Sequence, residues 1–179
     1  SLGIEGTFRD ITERKKQEAI LRAQLRLGLD LQKVKGMDEI LQTCLDTAID
    51  ISGMDSGAVY LLDENGESAD LIVSTNLGDA FLKSVLHLQP GSWLARQVRE
   101  KTSVCIPSPG LEFQFTSSQT QEGLHSACVI PVISNGRGIA CLNVSSHTDI
   151  SVQESSRVAL ETIATQIGTR PRSPRTSHN

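Results

Sequence analysis

Apolar residues along this chain recur at two different periods, and the switches between those periods mark out its elements. Ile20, Ala23, Leu27, Leu31 and Val34 fall on one face of a helix at about 100° per residue, while Leu21, Leu25 and Leu29 fall on a second, well separated face. Asp10 and Glu13 have the spacing of a capping box, so the pattern predicts a helix from about Ile11 to Val34. A surface helix needs one apolar stripe; two imply one face for its own domain and one for a partner. Gly36 breaks this helix and Asp38 is the predicted cap of the next. There Ile40, Leu41, Cys44, Leu45, Ala48 and Ile51 keep helical spacing until Gly53.

The period then shortens. Ser56 to Thr75 holds two apolar runs around Asn65-Gly66, a hairpin signature. Asp79 to Leu86 reads as a short helix and Leu86 to Leu88 as a short strand. After Pro90-Gly91, Ser92 caps a helix through Glu100, and Thr102 to Pro107 reads as a strand. Pro109 to Gly123 is polar apart from residues such as Phe113 and Phe115, which predicts a loop or a lid with room for one helical turn. Leu124 to Ser146 is a second hairpin around Asn135-Gly136, and its nearly continuous apolar run implies a sheet covered on both faces. Ser151 and Glu154 form a capping box for a closing helix with Val152, Ala159, Leu160, Ile163 and Ile167 on one stripe, ended by Gly168. Residues 3–9 read as a lone strand, and 169–179 as a basic, Pro-rich linker. Helices and strands are segregated, with no regular strand–helix–strand alternation, which predicts an α+β fold with a largely antiparallel sheet.

Composition narrows the function classes. The 179 residues suit one domain plus extensions. The net charge of −4 is spread over well-mixed charges, which argues against the clustered basic face of a nucleic-acid binder. No apolar run approaches the roughly 18 residues that span a bilayer, and no signal-peptide pattern opens the chain, so the expectation is a cytoplasmic fragment without a membrane segment. Cys44, Cys105, Cys128 and Cys141 lack CxxC spacing, which argues against a zinc site and for buried, reduced thiols.

Three stretches together carry a family likeness. LHLQPGSWLARQVREKTSVCIPS resembles the middle of a GAF domain, SACVIPVISNGRGIACLNV its closing hairpin, and SVQESSRVALETIATQIG its final helix. The opening GTFRDITERK resembles the end of a PAS domain running into a linker helix. The likeness implies residues 1–10 as the remnant of a PAS domain, 11–36 as a signalling helix, 37–168 as a GAF domain and 169–179 as a tail. It also implies a central antiparallel sheet of about five to six strands, with helices on one face and loops or short helices over the other.

The resemblance further implies a small-ligand pocket under the segments 76–92 and 109–123, with Trp93, Cys105, Phe113, Phe115 and His125 as its candidate lining. The competing reading is that these side chains only fill space beneath a long loop. The N-K-F-D-E set of some nucleotide-binding GAF domains is not recognisable, and Ser108-Pro109 replaces the acidic residue often found after that strand. No Cys-His pair offers bilin attachment, and haem ligation would fall to His125 or His87. No cofactor is therefore assigned, and no metal.

One branch of the family reduces methionine sulfoxide with pocket cysteines. It expects a Cys near the Pro-Gly turn, where this chain has Gly91-Ser92-Trp93. With Asn135-Gly136 as the turn centre, Cys141 would oppose Ile130 and not Cys128, so the cysteines read as structural. No phosphoacceptor box surrounds His87, His125, His147 or His178, and no Gly-rich ATP loop is present. The resulting expectation is a non-catalytic sensory module of a signalling protein, a sensor histidine kinase foremost. It would sit between an upstream PAS domain and a downstream output domain, bind a small molecule, and pair as a parallel homodimer through Leu21, Leu25 and Leu29. The alternatives are a ligand-free dimerisation spacer and the methionine sulfoxide reductase.

Overall fold

The computed structural model describes residues 13–24, 27, 36–106 and 115–169. The expected strand at 3–9, Leu25, Leu29, Phe113 and the tail lie outside the described residues. Helix α1 (residues 13–24) leads to α2 (Met37–Ser52), β1 (Ser56–Leu62) and β2 (Ala69–Thr75). Then come α3 (Asp79–Val85), β3 (His87–Leu88), α4 (Trp93–Glu100), β4 (Val104–Ile106) and α5 (Ser117–Glu122). The hairpin β5 (Ser126–Ser134) and β6 (Arg137–Ser146) precedes the closing helix α6 (Glu154–Gly168). The strands form one open sheet in the order β3-β2-β1-β6-β5-β4, with every neighbouring pair antiparallel. This is the α+β architecture that the segregation of periods predicts.

Alternation along the strands divides the core in two. Val59 of β1, Cys128, Ile130 and Val132 of β5, and Leu142 and Val144 of β6 pack against α2 and α6. Leu45 of α2 and Leu160 and Ile163 of α6 are fully buried there. Ile20 and Ala23 of α1 pack at the edge of that cluster and Leu27 is buried within it, whereas Leu21 is 57% exposed. On the opposite face Ala58, Tyr60 and Leu62, Val129 and Cys141 meet Leu94 and Val98 of α4. The sheet is thus covered on both sides, as its continuous apolar strands require.

Close backbone approach is bought by glycine where α6 crosses β5: a Cβ on Gly168 would lie 2.2 Å from the Ile133 carbonyl oxygen. Two predicted caps are corrected. Helix α2 is capped by Gly36 without a side-chain bond, and Asp38 sits in the first turn, where its charge favours the helix dipole. Helix α6 starts at Glu154 after Gln153, so Ser151 caps nothing and Val152 stands before the helix. The helical turn expected in the polar segment is the six-residue α5. Thr116 Oγ1 accepts from the Gln119 N–H and Gln119 Oε1 accepts from the Thr116 N–H, a capping box that starts α5.

The second hairpin also departs from the expected register. Cys141 faces Pro131, not Ile130, because a bulge near the turn shifts the register between Val132 and Ile133 and moves the later pairs by one.

Candidate functional site

Helices α3, α4 and α5 stand over the face of the sheet opposite α2 and α6 and enclose a cavity of about 470 Å³. Tyr60, Val129 and Asn143 form its floor; Phe81, Trp93 and Phe115 stand in its walls. Each cover helix is positioned by local sequence. Pro90-Gly91 turns the chain, Gly91 taking a φ of 82°, and Ser92 Oγ then accepts from the Ala95 N–H at 3.2 Å to start α4 with Trp93 as its first residue. The Thr116–Gln119 box holds the start of α5 beside Phe115.

A charged clamp fastens the covers to the end of the sheet. His147, just past β6, has Nδ1 2.8 Å from Asp55 Oδ1 and Nε2 3.1 Å from Glu122 Oε1. Glu122 ends α5 and also accepts from the Gly78 N–H at 2.9 Å, at the start of α3. Asp55 additionally accepts from the His147 N–H at 3.1 Å, and Asn76 Nδ2 donates to the Asp55 carbonyl at 2.9 Å. The bond to Asp55, joined by that to Glu122, raises the His147 pKa against the opposing effect of burial. Burial disfavours the ionised Asp55, but its bonds from His147 and Ser56 outweigh that and hold its pKa below the ordinary carboxylate value.

The structure brings together two of the five residues expected at the pocket. Trp93 and Phe115 line the cavity, while Phe113 lies outside the described residues. Cys105 does not line it: alternation along β4 turns Ile106 to the cavity and Cys105 to the helix-covered face. There Cys105 forms a disulfide with Cys128, its direct partner in the β4–β5 register, which corrects the expectation of four reduced thiols. Cys44 and Cys141 are buried outside that bond. His125 is also absent from the lining. Leu124 turns inward, whereas the His125 side chain is 58% exposed and lies 3.8 Å from Asp149. His87 is likewise outside it, on the edge strand, paired with Asp70 at 2.7 Å.

Tyr60, Asn143 and Gln119 were missed as polar members of the wall, and His147 as the clamp. Alternation from the buried Val59 and Leu142 would have placed Tyr60 and Asn143 on the cavity face, and the Thr-x-x-Gln spacing would have located Gln119. Burial pushes the Tyr60 phenol pKa up, so the group stays an O–H donor. The Cys141 thiol, its pKa also pushed up by burial, donates to Asn143 Oδ1 at 2.7 Å. Among the described residues, no group of three or more His, Cys, Asp or Glu could hold a metal ion, and no helix is long and apolar enough to cross a membrane.

The GAF domain family matches residues 34–169, and the chain belongs to that family. Solved structures share the fold. The GAF domain of an Acinetobacter phosphoenolpyruvate-protein phosphotransferase aligns with a TM-score of 0.70 at 18% identity, covering 84% of this chain and 90% of that one. The GAF domain of a Pseudomonas syringae pv. tomato protein assigned as a sensor histidine kinase gives 0.61 at 16% identity, covering 90% and 89%. The chromophore-binding domain of Stigmatella aurantiaca phytochrome P1 gives 0.68 at 16% identity, covering 87% of this chain and 60% of that one. No curated protein matches the chain.

Proposed function

We propose that this GAF domain is a non-catalytic sensory module that takes a small molecule into the cavity beneath α3, α4 and α5. The observation that carries this reading is the cavity itself. Its volume of about 470 Å³ falls within the roughly 300–1,000 Å³ of small-molecule sites. The GAF neighbours assigned to sensor histidine kinases and phytochromes favour a place in signal transduction, with a sensor histidine kinase as the host protein. In that setting a PAS domain precedes residue 11 and an output domain follows the closing helix. The thiol chemistry of a methionine sulfoxide reductase needs an activated thiolate. Cys141 is instead held protonated by burial, and Cys105 and Cys128 lie on the helix-covered face of the sheet, away from the cavity.

The module pairs with a second copy through the stripe of Leu21, Leu25 and Leu29. Leu21, at 57% exposure on a helix whose other stripe meets the core, supports that assignment. Sedimentation of Leu25→Asp against the parent tests it: the parent dimerises and the variant does not.

Native mass spectrometry tests the sensory reading. The purified chain retains a small molecule, and Ala127→Phe, which fills the cavity from β5, loses it while keeping the fold. A parent that carries and binds no small molecule, yet dimerises, is a spacer and not a sensor.

A further inference from the structure

The chemistry of the cavity wall narrows the class of molecule it takes, resting on the sensory reading above. None of its lining residues among the described chain is Asp, Glu, Lys, Arg or His. An ionised ligand there would lose its hydration without meeting a counter-charge, a cost that proteins avoid. The Asp55–His147–Glu122 clamp does not supply one, because none of its three residues lines the cavity and its carboxylates are already satisfied by His147 and Gly78.

The polar atoms of the wall are biased in one direction. Asn143 Oδ1 receives the Cys141 thiol at 2.7 Å, and Gln119 Oε1 receives the Thr116 N–H at 2.8 Å. Ser92 Oγ receives the Ala95 N–H at 3.2 Å, and Thr116 Oγ1 the Gln119 N–H at 3.3 Å. Each of these oxygens already accepts one bond in building α4, α5 or the floor, and Ser145 Oγ pairs with Ser56 Oγ at 2.8 Å. The strongest donors that this bonding leaves for a ligand are the side-chain amide N–H groups of Asn143 and Gln119, joined by the Tyr60 hydroxyl, which can also accept. Around them stand Phe81, Trp93 and Phe115, which offer aromatic surface to a flat apolar body.

We infer that the ligand is an uncharged, largely apolar and aromatic molecule that carries a hydrogen-bond acceptor, such as a carbonyl or a ring nitrogen, directed at Asn143 and Tyr60. A phosphorylated nucleotide or a carboxylate-bearing chromophore is the wrong chemistry for this wall.

Calorimetric titration of the whole chain with three probes built on one bicyclic body tests the inference. They are 2-acetonaphthone, a neutral ketone; 2-naphthoate, an anion at neutral pH; and 2-(aminomethyl)naphthalene, a cation. The ketone binds at least about tenfold more tightly than either ion, the difference expected when one desolvated charge goes unpaired. Asn143→Asp, which replaces the donating N–H groups with carboxylate oxygen, weakens the ketone by about tenfold or more, and Tyr60→Phe weakens it by about fivefold. Thermal unfolding confirms that each variant is folded; should Asn143→Asp not fold, Tyr60→Phe decides alone.

An ion that binds as tightly as the ketone overturns the neutral class while leaving a working pocket. Ketone affinity unchanged in the folded variants overturns the donor assignment. Failure of all three probes to bind overturns this inference together with the cavity reading on which it rests.

Discussion

The imidazole Nδ1 of His147 lies 2.8 Å from Asp55 Oδ1, joining the residue after β6 to the residue before β1. The pair titrates with opposite signs. The raised pKa of His147 gives a stabilisation that is complete below its ordinary 6.5 and is lost as pH rises through the folded-state value. The lowered pKa of Asp55 gives one that is complete above its ordinary 3.8 and is lost as pH falls through the folded-state value. Both contributions are therefore in place between those two ordinary values. His147→Gln costs on the order of 1 kcal/mol near pH 5.5 and clearly less at about pH 9. Urea unfolding of parent and variant at both pH values measures this, and a pH-independent difference refutes the ionic clamp.

The Cys105–Cys128 bond closes a loop with a sequence separation of 23 residues and ties the three-residue edge strand β4 to β5. Loop-closure entropy assigns such a link about 3 kcal/mol. Cys105→Ser lowers the unfolding free energy by that amount under oxidising conditions. Under a reductant such as dithiothreitol the parent falls to the level of the variant.

At Gly168 the added Cβ of alanine would press on the Ile133 carbonyl oxygen, which is backbone and cannot swing aside. Although alanine is the better helix former, Gly168→Ala therefore destabilises by about 1–3 kcal/mol, through displacement of α6 from β5. Chemical denaturation reads the sign directly, and a stabilised variant would show that the close approach does not hold in solution.

Ser92→Ala removes the acceptor for the Ala95 N–H at the start of α4 and costs about 1 kcal/mol. Because Trp93 is the first residue of that helix, the same change weakens ligand binding in calorimetry. Ser92→Asp, which keeps an acceptor oxygen, restores stability but places a charge at the cavity wall, so it does not restore binding of a neutral probe.

Most of the fold could be read from periodicity because a half-buried strand and an amphipathic helix write their solvent face into every turn. Both hairpins, α2, α4 and α6 came through in this way. The site was harder. Cys105 and His125 were placed by nearness in sequence to the expected loops, whereas the side a strand residue faces is set by its parity. Ile106 and Leu124, one residue away from them, took the cavity positions. The Cys105–Cys128 pairing depends on the register between strands separated by α5, and no local pattern encodes it. The shift of Cys141 to Pro131 follows from a bulge at Ile139, which a count from the turn centre cannot anticipate. The clamp escaped because Asp55, Glu122 and His147 are brought together only by the closed sheet and its covers.

The partition between the cavity and the helices is a single layer of peptide. On β5, Val129 belongs to the cavity wall and Ile130 to the cluster beneath α2 and α6, and one peptide bond joins them. Their Cα atoms are therefore about 3.8 Å apart. A guest that lifts Val129 pulls on Ile130 through covalent geometry, with no relay of side chains between. The strand works as a thin diaphragm: pressed from one side, it moves what rests on the other. Val129→Ala would slacken it on the cavity side alone, leaving the helix packing of Ile130 unchanged.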